Sequence, residues 1–238
     1  MKNKISKRAI VLAGGKGSRL RPYTVVLPKP LMPIGDYPIL ELVVRQLIKN
    51  NFDHITMCVN HQADLIKTFF GNGERWGIKI DYSNEYEPLG TMGPLKKISN
   101  LPNNFLVMNG DILTNLNFNN FYNDHVRDNE LYTISSYVRT QKVDYGVIEC
   151  NKDNYLINFK EKPKNNFNVS MGIYMLNKKI LESIPPGFFG FDSLMHKLIE
   201  SKLKVKVKPF SGYWLDIGRP DDYMKAIEDF ESMKNIFL

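Results

Sequence analysis

Short apolar runs alternate through the first half of the chain with segments whose apolar residues recur at helical spacing, which is the pattern of βαβ units around a largely parallel sheet. The run over 9–13 reads as a buried strand that empties into a glycine turn. Over 39–48, Leu40, Val43, Val44 and Leu47 share one helical face behind Pro38, and Glu41 and Arg45 pair on the outer face. Strands are predicted over 54–59, 78–82 and 105–108, and helices over 63–70, where Gly71 stops the run, and over 93–98, with Pro94 in the first turn. After residue 130 strands follow one another directly, at 131–138, 146–150, 156–160 and 169–176, which predicts an antiparallel or mixed region. Helices over 191–200 and 220–234 and short strands at 205–207 and 213–215 complete the pattern. No repeat of about 20–50 residues is present, so a solenoid is excluded.

Composition narrows this to an ordinary folded protein. Hydrophobic residues make up 43% and charged residues 24% of 238, which argues against disorder and coiled coil. The two cysteines, Cys58 and Cys150, are too few for a disulfide scaffold and lack metal-ligand spacing, so a reducing cytoplasm is the expected location. The basic start, Met1 to Arg8, is followed by too short an apolar run for a signal peptide, and no run approaches a membrane span. A net charge of +7 admits an anionic partner. The lysines are nevertheless scattered among asparagines, and no nucleic-acid-binding pattern accompanies them, so neither nucleic acid nor membrane is an expected partner.

Chemistry concentrates at a few places. Leu12-Ala13-Gly14-Gly15-Lys16-Gly17-Ser18-Arg19 is a glycine-rich turn directly after the first strand, with Lys16, Arg19 and Arg21 around it. Glycines expose backbone N–H groups and admit a phosphate closely, so the turn reads as an anion site. Its spacing is neither a dinucleotide fingerprint, which would need glycine at Leu20, nor a P-loop, which would need Ser or Thr after Lys16. Pro28 and Pro30 restrict the backbone around Lys29. Asp111 and Asp216 each close an apolar strand, where carboxylates project into the ligand crevice of an α/β protein, and two oxygen donors with substrate phosphates suit Mg²⁺. Each aspartate could also be an ordinary turn or cap residue. Glu161-Lys162-Pro163 and Tyr145-Gly146-Val147 repeat the lysine-before-proline and glycine-at-strand-start arrangements. The four histidines have no metal spacing, and no Ser/His/Asp or Cys/His arrangement is readable.

In order along the chain, 12–22, 28–33, Leu89-Gly90-Thr91-Met92-Gly93-Pro94-Leu95, Asn109-Gly110-Asp111, 145–147, 161–163 and Trp214-Leu215-Asp216-Ile217-Gly218 resemble the sugar-1-phosphate nucleotidyltransferases, from about Arg8 to the C-terminal helix. The resemblance implies one α/β domain over 1–238, a Rossmann-like mixed, mainly parallel sheet flanked by helices with an inserted antiparallel sugar-binding region. Its nucleotide part would cover about 8–130, its sugar part about 131–218, and a helix 220–234 would close the chain. The implied reaction joins an NTP and a sugar-1-phosphate into an NDP-sugar with release of pyrophosphate. The branch most resembled uses GTP with mannose- or heptose-1-phosphate; thymidylyl, cytidylyl or uridylyl transfer stays open, as do a non-catalytic sugar-nucleotide regulator and a homo-oligomer. By resemblance, Leu12, Ala13, Gly14, Gly15, Gly17, Ser18, Arg19, Gly90 and Thr91 hold the nucleotide, and Asn109, Gly146, Glu161 and Lys162 hold the sugar phosphate. Arg19, Lys29, Asp111 and Lys162 are the catalytic set, with Asp111 and Asp216 holding Mg²⁺. Met92 stands where a smaller residue is expected, which bears on the pocket's shape. The chain also leaves no length after its last helix for an acyltransferase or β-helical domain, so a single activity is expected.

Overall fold

The computed structural model describes residues 6–238, so most of the basic start lies outside the described residues. In chain order the elements are β1 (Arg8–Leu12), the short pair β2 (Pro33–Ile34) and β3 (Tyr37–Pro38), α1 (Ile39–Lys49), β4 (His54–Val59), α2 (Ala63–Phe70) and β5 (Lys79–Asn84). There follow β6 (Asn104–Asn109), β7 (Ile112–Thr114), α3 (Phe118–Arg127), β8 (Tyr132–Lys142), β9 (Val147–Cys150), β10 (Leu156–Lys160) and β11 (Lys164–Asn177). The chain then runs through α4 (Phe191–Glu200), β12 (Lys206–Phe210), β13 (Trp214–Asp216) and α5 (Pro220–Phe237). Seven strands form one sheet in the order β12-β8-β11-β6-β1-β4-β5. Only β11 runs against the rest, pairing antiparallel with both β6 and β8.

This is the mixed, mainly parallel sheet expected from the alternation of runs. Strand β1 shows how it is buried: Ala9 and Val11 face α1, α2 and α3, while Ile10 faces α4, so the middle of the sheet is apolar on both sides. A third cluster seats α5 through Tyr223, Phe230 and Phe237 against Ile39 and Leu42 of α1. Strands β8, β11 and β12 extend the main sheet, the hairpin β9–β10 is a two-stranded antiparallel sheet of its own, and β13 pairs with β7 in another.

Residues 93–97 form a 3-10 turn rather than an α-helix, because the amides of Met92 and Gly93 are drawn to the carbonyl of Phe189 at its start. Helix α3 has no counterpart in the sequence reading, although its buried residues Phe118, Phe121, Tyr122 and His125 keep helical spacing. Its asparagines look like a loop, yet Asn117 accepts the N–H of Asn120 and caps the helix.

Candidate active site

The carboxyl ends of the parallel strands open into a cleft of about 540 Å³. Leu12 to Arg19 form one wall, following β1 directly, with Lys29, Asn109 and Asp111 beneath them and Gly90 and Thr91 opposite. The fold supplies the room by glycine. Gly17 has φ +60°, and a Cβ there would lie 3.1 Å from the Cβ of Lys29, so the turn packs directly on the lysine. A Cβ on Gly218 would sit 3.4 Å from a guanidinium nitrogen of Arg19, which therefore lies over that glycine.

Lys29 occupies a short turn between its two prolines and is buried, with Nζ paired to Oδ2 of Asp111. The other carboxylate oxygen of Asp111, Oδ1, is buried with no hydrogen-bond partner. Asp216 ends β13, which pairs with β7 just after Asp111, and the N–H of Ile217 donates to the Asp111 carbonyl. Burial and then the Asp111 charge push the Asp216 carboxyl above its usual range, against the pull of Lys29 and Arg19. Asp111 and Asp216 feel each other's charge, and Asp111 keeps one buried oxygen unspent. That fits a hard divalent cation, with further oxygens coming from a phosphorylated ligand. Among the described residues no cluster of three or more His, Cys, Asp or Glu could hold a metal without such a ligand.

The cleft also holds residues absent from the sequence reading. Asn60 follows β4 and Glu85 follows β5, both at strand carboxyl ends, which is the same signal that picked out Asp111. Glu85 Oε1 comes within 3.3 Å of where a Cβ on Gly14 would be. Burial raises the Glu85 carboxyl, against the N–H of Leu89 and the charge of Lys97. The loop over 89–93 is strapped to a distant segment: Phe189 N–H donates to Leu89, and Met92 and Gly93 N–H donate to Phe189. Gly90 has φ +74°, and a Cβ there would meet the Phe189 carbonyl oxygen at 2.6 Å. Met92 points away from the cleft into the core beside Leu95 and Leu194, so its size does not intrude on the pocket. Gly172 was also missed. It has φ +72° in an irregular stretch of β11, and a Cβ would lie 2.6 Å from the Asn109 amide nitrogen.

Gly146, Glu161 and Lys162 do not line this cleft. They lie on or beside the exposed β9–β10 hairpin, where a Cβ on Gly146 would touch the Phe159 ring and approach the Glu161 carboxylate, at 2.6 and 3.2 Å. Lys162 takes φ +43°. Among the described residues no helix is long and apolar enough to cross a membrane.

The family model for nucleotidyl transferases matches residues 8–233. The chain belongs to the nucleotidyl transferase family. Within it, the chain is 34% identical to D-glycero-alpha-D-manno-heptose 1-phosphate guanylyltransferase of Aneurinibacillus thermoaerophilus, over 94% of this chain and 98% of that protein. It is 32% identical to the UTP–glucose-1-phosphate uridylyltransferase of Synechocystis over 96% of this chain, but spans only 65% of that longer protein. Among solved structures, HddC from Yersinia pseudotuberculosis superposes with a TM-score of 0.73 at 28% identity, covering 94% of this chain and 99% of that one. That protein has also been solved in complex with GMP-PN, with a TM-score of 0.71.

Proposed function

We propose that the protein transfers a guanylyl group from GTP to a sugar-1-phosphate of the mannose or heptose type, forming a GDP-sugar and pyrophosphate. The observation that carries the reaction class is the meeting of Lys29, Asp111, Asp216 and Arg19 under the glycine turn. The turn's N–H groups and Arg19 hold the triphosphate, and the buried Lys29 ammonium lies where charge gathers on the reacting phosphates. An oxygen of the sugar phosphate attacks the α-phosphorus, the bond to the β-phosphate breaks, and pyrophosphate leaves. Such a transfer needs alignment and charge neutralisation rather than a protein nucleophile. A Mg²⁺ held by Asp111 and Asp216 would supply neutralisation of phosphate oxygen charge. Asn109 positions the sugar phosphate, and Glu161, Lys162 and Gly146, carried on the hairpin, serve the sugar.

Glu85 supports guanine. A carboxylate only accepts hydrogen bonds, and guanine is the base whose pairing edge offers two adjacent donors, N1–H and the N2 amino group. Uracil and thymine present carbonyl oxygens beside a single N–H, which a carboxylate repels. The guanylyltransferase relative, matched over nearly its full length, and the neighbour solved with GMP-PN point the same way. The test is pyrophosphate release from GTP, UTP, dTTP, CTP and ATP, each with mannose-, heptose- and glucose-1-phosphate, for the wild type and Glu85→Gln. Release with GTP, and a loss of GTP preference of about 10-fold or more in Glu85→Gln, is the expected result. Equal use of UTP and GTP by the wild type would overturn the base assignment.

A further inference from the structure

Between the glycine turn and Lys29 the usual burial order is inverted. Tyr23, Val25 and Val26 are 53%, 61% and 82% exposed, while the polar residue among them, Thr24, is only 4% exposed. Hydrophobic burial alone would turn a valine inward here. What the inward place gives Thr24 is a partner: its hydroxyl donates to the carbonyl oxygen of Gly17 at 2.8 Å. Its carbon atoms press on the same glycine, since a Cβ added to Gly17 would meet the Thr24 methyl at 3.1 Å and the Cβ of Lys29 at 3.1 Å. Thr24 itself does not line the cleft.

The Gly17 carbonyl also accepts the N–H of Leu20 at 2.9 Å, so two bonds fix its direction. A trans peptide is planar, with its N–H opposed to its C=O. Holding the Gly17 carbonyl therefore holds the N–H of Ser18 as well and points it the opposite way. Ser18 lines the cleft, and a backbone N–H held in a glycine turn is a donor suited to a phosphate oxygen. We propose that Thr24 is a positioning residue for nucleotidyl transfer, on the reading that this turn holds the triphosphate: its hydroxyl aims the Ser18 N–H at the phosphates and seats the turn against Lys29. Valine in its place fills the same volume and leaves the carbonyl with the Leu20 bond alone. Serine keeps the hydroxyl and loses only the methyl. The base and the sugar phosphate should not feel either change.

A second tether on the same segment supplies the control. The side-chain amide of Gln62 donates to the Val26 carbonyl at 3.1 Å and makes no bond to Gly17. Wild type, Thr24→Val, Thr24→Ser and Gln62→Ala are compared by calorimetric affinity for GTP, by kcat and KM in pyrophosphate release with the sugar-1-phosphate the wild type uses best, by inhibition with guanosine, and by Tm. Thr24→Val should weaken GTP affinity and lower kcat/KM for GTP by about 10-fold or more, with guanosine inhibition and the sugar-phosphate KM within about 2-fold of wild type. Thr24→Ser should recover to within about 3-fold, and Gln62→Ala should bind GTP within about 2-fold of wild type. A Thr24→Val protein with ordinary GTP affinity and kcat/KM overturns the proposal. So does a loss that guanosine shares or that Gln62→Ala reproduces, because either marks a loosened segment rather than a misdirected donor. Thr24→Ser as poor as Thr24→Val overturns it too, by assigning the effect to the methyl. A wild type that binds GTP yet releases no pyrophosphate would sink the guanylyl-transfer reading instead, and the GTP affinities would still decide the role of Thr24.

Discussion

Asp111 spends one carboxylate oxygen on Lys29 and keeps the other buried without a partner, an arrangement that costs stability unless a cation completes it. Replacement by asparagine keeps the shape and removes the charge. Asp111→Asn should lower kcat by about 100-fold or more, equivalent to roughly 3 kcal/mol of transition-state stabilisation. It should also weaken the Mg²⁺ dependence of pyrophosphate release; a variant with ordinary turnover and unchanged Mg²⁺ dependence would remove Asp111 from the reaction. Lys29, Arg19 and Asp111 were legible in the sequence because proline restriction, glycine clustering and strand ends are local signals. Glu85, Asn60 and Gly172 were not read: Asn60 and Glu85 carry the strand-end signal without a neighbouring motif to draw attention to it, and the contact of Gly172 with Asn109 joins residues 63 positions apart.

At the scale of elements, the hydrophobic pattern located most strands and helices because their burial is period-2 or period-3.6. It faltered where burial does not control the backbone. Strand β11 begins at Lys164 rather than near 169 because the extra residues pair with β8 through the backbone while their side chains stay in water. Helix α4 starts on a borrowed cap: Gly190 offers no side chain, and the hydroxyl of Thr91 accepts the N–H of Phe191 at 2.7 Å. Thr91→Val removes that acceptor and keeps the shape. It should cost about 1 kcal/mol, lowering Tm by roughly 2–4 °C in a chain of this size, with Thr91→Ser restoring it. A Tm unchanged within error in Thr91→Val would show that the cap contributes nothing.

For the whole molecule, the end of the sheet opposite the cleft is closed by charge. Arg8 donates to Thr56 and to the carbonyls of Ser99 and Asn100 and pairs with Asp81, which also bonds His54 at 2.7 Å. Burial works against the Asp81 anion, but His54, Thr56 and Arg8 prevail and hold its carboxyl down at about 2. A carboxylate with a depressed native pKa adds stability above its unfolded value and loses it as pH falls towards the native one. The window is therefore about pH 4 down to 2. Because the Asp81 side chain is 38% exposed, the contribution is discounted to the order of 1 kcal/mol. Asp81→Asn should flatten the loss of stability between those pH values in urea titrations; an unchanged slope would leave the cluster without an electrostatic role. The strap between the 89–93 loop and Phe189 has a separate consequence at this scale. It joins positions about a hundred residues apart by three backbone bonds that must open together. The amide protons of Met92, Gly93 and Phe189 should thus exchange with solvent deuterium at one shared rate, and a nucleotide in the cleft should slow all three alike.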